Sequence, residues 1–419
     1  MTAGETHRAI AAAFRIERAR LVAGLARLMR DIDRAEELAQ DALLVALAEW
    51  PRTGIPANPG AWLMAVAKRR GFDLLRHDRM RARKHAEIAQ APQAVRDVEG
   101  EVIAAMEDDL GDELLGLLFT ACHPMLAREA RAALTLRVVG GLTTDEIARA
   151  FLSSEATIAQ RIVRAKKAIA RAALTFETPR GSERAARLPA VLEVVYLIFN
   201  EGYAATAGDD LIRADLCREA QRLGRVLAGL MPRDPEVLGL LALMEIQASR
   251  LAARTAPDGA LVPLDRQDRA RWDRLLIRRG LDALARAEAL AGASAGPYLL
   301  QAALAACHAR ARRAADTDWP RIAALYDRLR AVTPSPVVDL NRAIAWGMAF
   351  GPDAGLRLLD DLADAPALRH YAPLPAARAD LLFRTGRCGE ARPHFQAAAA
   401  LARNRQERAY LLARALACG

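Results

Sequence analysis

Gly141-Leu142-Thr143-Thr144-Asp145-Glu146-Ile147-Ala148, followed by Ser153-Ser154-Glu155-Ala156-Thr157-Ile158 and Gln160-Arg161-Ile162-Val163-Arg164-Ala165-Lys166-Lys167, is the stretch that decides the fold. Thr144 and Ser153 or Ser154 are side-chain caps, and Ile147, Ala148, Phe151, Ile158, Ile162 and Ala165 fall at helical spacing, so the spacing predicts a helix, a tight turn and a second helix. That is the pattern of a helix-turn-helix. The second helix keeps Ile158, Ile162 and Ala165 for a core and turns Thr157, Gln160, Arg161, Arg164 and Lys167 outward, with Lys166 beside them. One short rod thereby offers donors for base edges and cations for phosphates, which implies a duplex DNA ligand.

The surrounding chain is helical by the same reading. Ala, Leu, Arg and Glu dominate, no run keeps a strand-like alternation, and an all-α protein is expected. The 419 residues, 53% of them hydrophobic, suffice for several packed cores, and the formal charge of +9 suits a polyanionic partner. Charge is segregated: all four lysines, Lys68, Lys84, Lys166 and Lys167, lie in two basic segments, while Asp97 to Glu113 holds eight acids and no Lys or Arg. Charged side chains interrupt the N-terminal apolar runs, so neither a signal peptide nor a membrane span is expected, and the five scattered cysteines read as reduced thiols of a cytoplasmic protein.

The breaks divide the chain into four parts: 1–90, a helical block; 91–108, an acidic linker; 109–175, the helix-turn-helix block; and 176–419, a long helical region. In the last, Gly351 with Ala354-Gly355-Leu356 resembles Gly386 with Gly389-Glu390-Ala391 at an offset of 35 residues, close to the tetratricopeptide period of about 34; an ordinary helical bundle is the alternative.

Two segments of the first block carry further chemistry. On the helix from Asp33 to Trp50, Ala35, Leu38, Ala42 and Leu43 face a core, while Asp33, Glu36, Glu37, Gln40 and Asp41 form a polar, mostly acidic surface. From Lys68 to Lys84 eight Lys or Arg stand against two acids over an apolar spine of Trp62, Val66, Phe72 and Leu75, which makes a cationic helix able to follow a phosphate backbone through Lys68, Arg69, Arg70, Arg76, Arg79 and Arg83. Trp62 fits either core packing or base stacking. Cys122-His123-Pro124 lacks the further ligands a zinc site needs. Adjacent carboxylates such as Asp209 and Asp210 or Asp360 and Asp361 point apart on a helix; no nucleophile elbow or phosphate-binding glycine loop occurs. Catalysis, a metal and a cofactor are not expected.

Taken in order, these segments resemble a sigma factor of the extracytoplasmic-function type, the promoter-reading subunit of bacterial RNA polymerase. The resemblance implies that Asp33 to Trp50 corresponds to regions 2.1 to 2.2 and docks on core RNA polymerase through Asp33, Glu36, Glu37, Gln40 and Asp41. It implies that Trp62 to Lys84 corresponds to regions 2.3 and 2.4, which read the minus 10 element, with Asp73 and Arg76 matching the family's Asp-x-x-Arg signature and Arg69 standing where the family usually has Asn. Leu114 to Lys167 is similar to region 4, which reads the minus 35 element of promoter DNA. The acidic linker is then either a tether with helix-capping acids or a chain that threads the polymerase cleft.

The remainder is similar to the subgroup with a C-terminal tetratricopeptide-like extension, through Phe199-Asn200-Glu201-Gly202-Tyr203, Leu264-Asp265-Arg266-Gln267-Asp268-Arg269 with Arg271-Trp272-Asp273, and Leu340-Asn341-Arg342-Ala343. In the second motif Arg266 stands before Gln267, where the family usually has Asp. Asp268, Arg269, Trp272 and Asp273 read either as a buried loop clasp or as a regulatory contact, within the chain, between the extension and the sigma regions. The expectation is a sigma factor regulated in cis; the alternative is a stand-alone helix-turn-helix regulator with a tetratricopeptide-like sensor domain.

Overall fold

The computed structural model describes residues 3–89, 110–151, 153–204, 212–257 and 259–418; the acidic linker expected at 91–108 lies outside them. The described residues are all-α, with one isolated bridge between Thr255 and Leu261. They form two compact units, Met1–Val194 and Val195–Gly419.

In the first unit, α1 (Ala3–Met29), α2 (Ile32–Thr53) and α3 (Pro59–Ala89) pack together, and α1 also packs on α4 (Leu110–Ala121). Asp31 caps α2 by accepting from the Asp33 and Arg34 amides, and Trp50 is buried at its far end. Among the described side chains of α3 the buried residues are Leu63, Met64, Ala67 and Gly71, a stripe offset from the predicted spine of Trp62, Val66, Phe72 and Leu75, which are only half-buried. Trp62 lies edge-to-face on Trp50 at 5.2 Å, so its ring borders the core. The helices α5 (Arg128–Val138), α6 (Thr144–Ala150) and α7 (Glu155–Arg171) follow α4. Where α4 passes the segment after α7, only glycine fits at 116: a Cβ there would lie 2.4 Å from the Phe176 carbonyl oxygen.

The first unit extends beyond the predicted boundary at 175. The start of α8 (Gly181–Tyr203) belongs to it: Arg187 donates to the Phe119 carbonyl and lies over the Phe119 ring, while Glu193 pairs with Arg128 and Arg131. Long-range ion pairs of this kind are invisible to a reading that follows local breaks.

In the second unit, α10 (Pro235–Ala248) is the central helix. It is apolar on nearly every side from Val237 to Met244, because α9 (Ala214–Leu230), α11 (Arg274–Ala291) and α12 (Pro297–Arg310) all pack on it, and the buried Glu245 that follows is held by Arg225 of α9 at 2.7 Å. The chain continues as α13 (Trp319–Val332), α14 (Pro336–Phe350), α15 (Pro352–Asp360), α16 (Pro373–Arg384), α17 (Cys388–Leu401) and α18 (Arg405–Leu416). The pairs α14–α15 and α16–α17 turn at Gly351 (φ +99°) and Gly386 (φ +76°), left-handed conformations that disfavour a side chain. The two turns differ in packing. A Cβ on Gly355 would meet Ala343 O at 2.7 Å, whereas Gly389, in the corresponding turn of the second pair, has open space around it, and the counterpart of Gly355 at the 35-residue offset is Glu390.

Candidate nucleic-acid interface

The helix-turn-helix is built as its caps dictate. Ser154 caps α7 by accepting from the Thr157 amide, and α6 opens with a reciprocal capping box: the Glu146 amide donates to Thr143 Oγ1 at 3.1 Å while the Thr143 amide donates to Glu146 Oε2 at 2.8 Å. The cap is therefore Thr143, one residue before the predicted Thr144. Ile147, Ile158, Ile162, Ala165 and Ile169 are buried. Thr157, Gln160, Arg164 and Lys167 lie exposed along the opposite side of α7 at spacings of three and four residues, with Arg161 half-buried next to them.

Lys166 is not part of that stripe. Its side chain is 11% exposed, and Nζ donates to Asp33 Oδ1 at 2.7 Å and Glu36 Oε2 at 2.6 Å. Glu36 also receives Arg18 at 2.6 Å and Arg137 at 3.3 Å, and its side chain is only 9% exposed. Glu36 and Lys166 thus leave the predicted polymerase-facing and DNA-facing sets: they neutralise each other at the contact of α2 with α5 and α7. The partners come from residues 18, 137 and 166, so nothing in the local pattern of α2 announces the burial. Burial lowers the Arg18 pKa, against the upward pull of Glu36. Arg18 and Arg137 were absent from the predicted set. Glu37 and Gln40 remain exposed on α2, and Asp41 holds Arg70 at 2.8 Å.

On α3, Arg69 and Arg76 are exposed, and Arg76 reaches back to Asp73 at 3.6 Å, so the Asp-x-x-Arg signature closes on itself. Lys68 is half-withdrawn; burial lowers its pKa, opposed by Glu113. The predictions for Arg79 and Arg83 concern side chains outside the described residues.

Residues 14–81 match the family model of sigma-70 region 2, and residues 117–169 match that of sigma-70 region 4. The chain is a sigma factor of the sigma-70 family. Its region 2 runs from within α1 to residue 81 in α3, and its region 4 runs from within α4 to within α7, the second helix of the helix-turn-helix. Residues 187–288 of the sigma factor match a family of unknown function, DUF6596. The sigma factor is 43% identical over 399 residues to an uncharacterized protein of Rhizobium meliloti (strain 1021), covering 94% of this chain and 92% of that protein. No solved structure matches it.

The four residues predicted as a regulatory contact have internal duties in the second unit. Asp268 and Asp273 cap the turn at Arg269–Arg271 and helix α11. Arg269 donates to the carbonyls of His308 and Ala311, both at 2.6 Å, and stacks on buried Trp272. These are the contacts of a loop clasp, with Arg269 and Trp272 both buried. Cys122 is a buried thiol 3.3 Å from Thr135 Oγ1, its pKa pushed up to about 12 by burial. Among the described residues no cluster of three or more His, Cys, Asp or Glu suits a metal ion, and no described helix is long and apolar enough to cross a membrane.

Proposed function

We propose that this sigma factor is of the extracytoplasmic-function type: it binds core RNA polymerase through the exposed part of α2, reads the minus 10 element with α3 and the minus 35 element with α7, and is regulated in cis by a tetratricopeptide-like extension. The observation that carries the reading is the pairing of a region 2 match with a region 4 match in one chain, each presenting exposed arginines. Two separated base-reading modules are what a promoter with two elements requires, because phosphate contacts position a protein while base contacts select the site. The paired glycine turns at Gly351 and Gly386 support the repeat character of the extension. No catalytic step is assigned to any residue.

Reconstituted transcription tests this. Purified chain added to core polymerase should give transcripts from a fixed start site, and the chain should copurify with core. Template binding without core association would reduce it to a stand-alone DNA-binding regulator.

A further inference from the structure

Two motifs of the extension line one cavity, and the other lies beside an arginine that lines it. In the second unit a cavity of about 350 Å³ opens between α10, α12, α13 and α14. Leu264 of the second motif and Asn341 of the third line it, as does Arg250, whose guanidinium lies 5.7 Å from the ring centre of Tyr203, the last residue of the first motif. Trp319, Tyr326, Tyr196 and His308 supply flat walls, and Ile322 and Leu304 an apolar surface. The volume lies within the range of small-molecule sites.

The charge in this cavity is unbalanced. Arg250 is 8% exposed, its Nε has no hydrogen-bond partner, and no carboxylate pairs with it among the described residues. No Asp or Glu lines the cavity. A buried cation without a counter-ion is costly, and proteins ordinarily pair it. The neighbouring arginine does not share the role, since Arg269 is consumed by two backbone carbonyls. His308 stands against Trp319 at 5.4 Å and is held neutral, its pKa pushed down to about 4 by burial and by Arg250 and Arg269. Burial pushes the Tyr326 hydroxyl up to about 12, so it remains a donor. The cavity thus offers one planar cation, neutral hydrogen-bonding groups and aromatic faces.

We propose that the C-terminal unit binds a small organic monoanion, a carboxylate carried on an aromatic or apolar body, with Arg250 as the partner of the carboxylate. A planar guanidinium matches a carboxylate in a two-pronged arrangement. A phosphate dianion calls for a second cation, which the lining does not contain. Binding goes beyond the sigma-factor reading and stands without it.

Isothermal titration of the full chain tests the proposal, with benzoate, indole carboxylate and hexanoate as probes, their neutral amides as controls, and inorganic phosphate as the competing class. At least one carboxylate should bind at one site per chain, with its amide and phosphate weaker by about tenfold or more, the loss expected of a charge-assisted pair. Arg250→Met should lose the same factor. Gln301→Glu, which adds an anion to the cavity wall and leaves Arg250 in place, should weaken carboxylates and spare the amides; it serves if Arg250→Met fails to fold. Binding by no carboxylate, equal binding of acid and amide, or unchanged affinity in the variants would overturn the proposal and leave Arg250 a brace over Tyr203 and Trp272. Phosphate binding as tightly as the acids would overturn the ligand class.

Discussion

His308 and Glu36 are the two side chains whose surroundings most constrain what the solution behaviour must be. His308 has a folded pKa of about 4 against an ordinary 6.5, so above pH 6.5 it is neutral folded or unfolded and contributes no pH dependence. As pH falls from 6.5 towards 4, the unfolded chain takes a proton that the folded chain refuses, and stability drops by on the order of 3 kcal/mol. Denaturant melts of the full chain across that window, compared with His308→Gln, should show the variant losing less stability on acidification; parallel curves would mean the imidazole is protonated in the fold. Glu36 gives a second expectation. Replacing it with Gln leaves Arg18, Arg137 and Lys166 in a half-closed site without their shared carboxylate, and breaking a buried pair from one side costs about 3 to 5 kcal/mol. Thermal unfolding of Glu36→Gln measures it, and a change near zero would place Glu36 in water.

At the scale of elements, α7 and α2 make separable predictions. Arg164→Ala removes an exposed cation from the recognition stripe of α7 and should weaken promoter-duplex binding by about 1 to 3 kcal/mol if the guanidinium touches a base; fluorescence anisotropy with matched and scrambled minus 35 sequences distinguishes a base contact from a phosphate contact. Reversing Glu37 and Asp41 to Lys should abolish core-polymerase association, read by copurification, while moving the melt little. Glu37 is exposed, and the pair Asp41 makes with Arg70 is half in solvent, worth at most about 1 kcal/mol.

Helix α7 and its exposed stripe were legible in the sequence because their information is local: a serine cap, an apolar residue every three or four positions and cations between them. The same reading missed by one residue at Thr143, where the capping box depends on which of two threonines leaves helical geometry. It missed Glu36 altogether, because whether a carboxylate on an amphipathic helix is wet or buried depends on partners supplied elsewhere in the chain. The cavity was visible only as three unexplained motifs. Arg250, the residue that gives them a common chemistry, stands in none of them.

At the scale of the whole molecule, the boundary between the units falls inside α8. A fragment ending at Pro179 therefore discards Arg187 from Phe119 and Glu193 from Arg128 and Arg131. Such contacts are worth about 1 to 2 kcal/mol together, so this fragment should melt about 2 to 8 °C below one ending at Val194. Calorimetry of the two fragments checks it, and equal melting points would mean that the first turns of α8 contribute nothing to region 4.

The contact of Lys166 with Asp33 spans 133 residues of chain, and this separation has a consequence in time. A ribosome adding roughly 5 to 20 residues per second needs about 7 to 27 seconds to pass from one to the other. For that interval α2 is already made and Lys166 does not yet exist, so Glu36 has Arg18 for a partner but neither of its later cations. A newborn copy therefore leaves open one side of the Glu36 carboxylate that a finished copy has closed, and its first encounters during synthesis follow different rules from those of the stored protein.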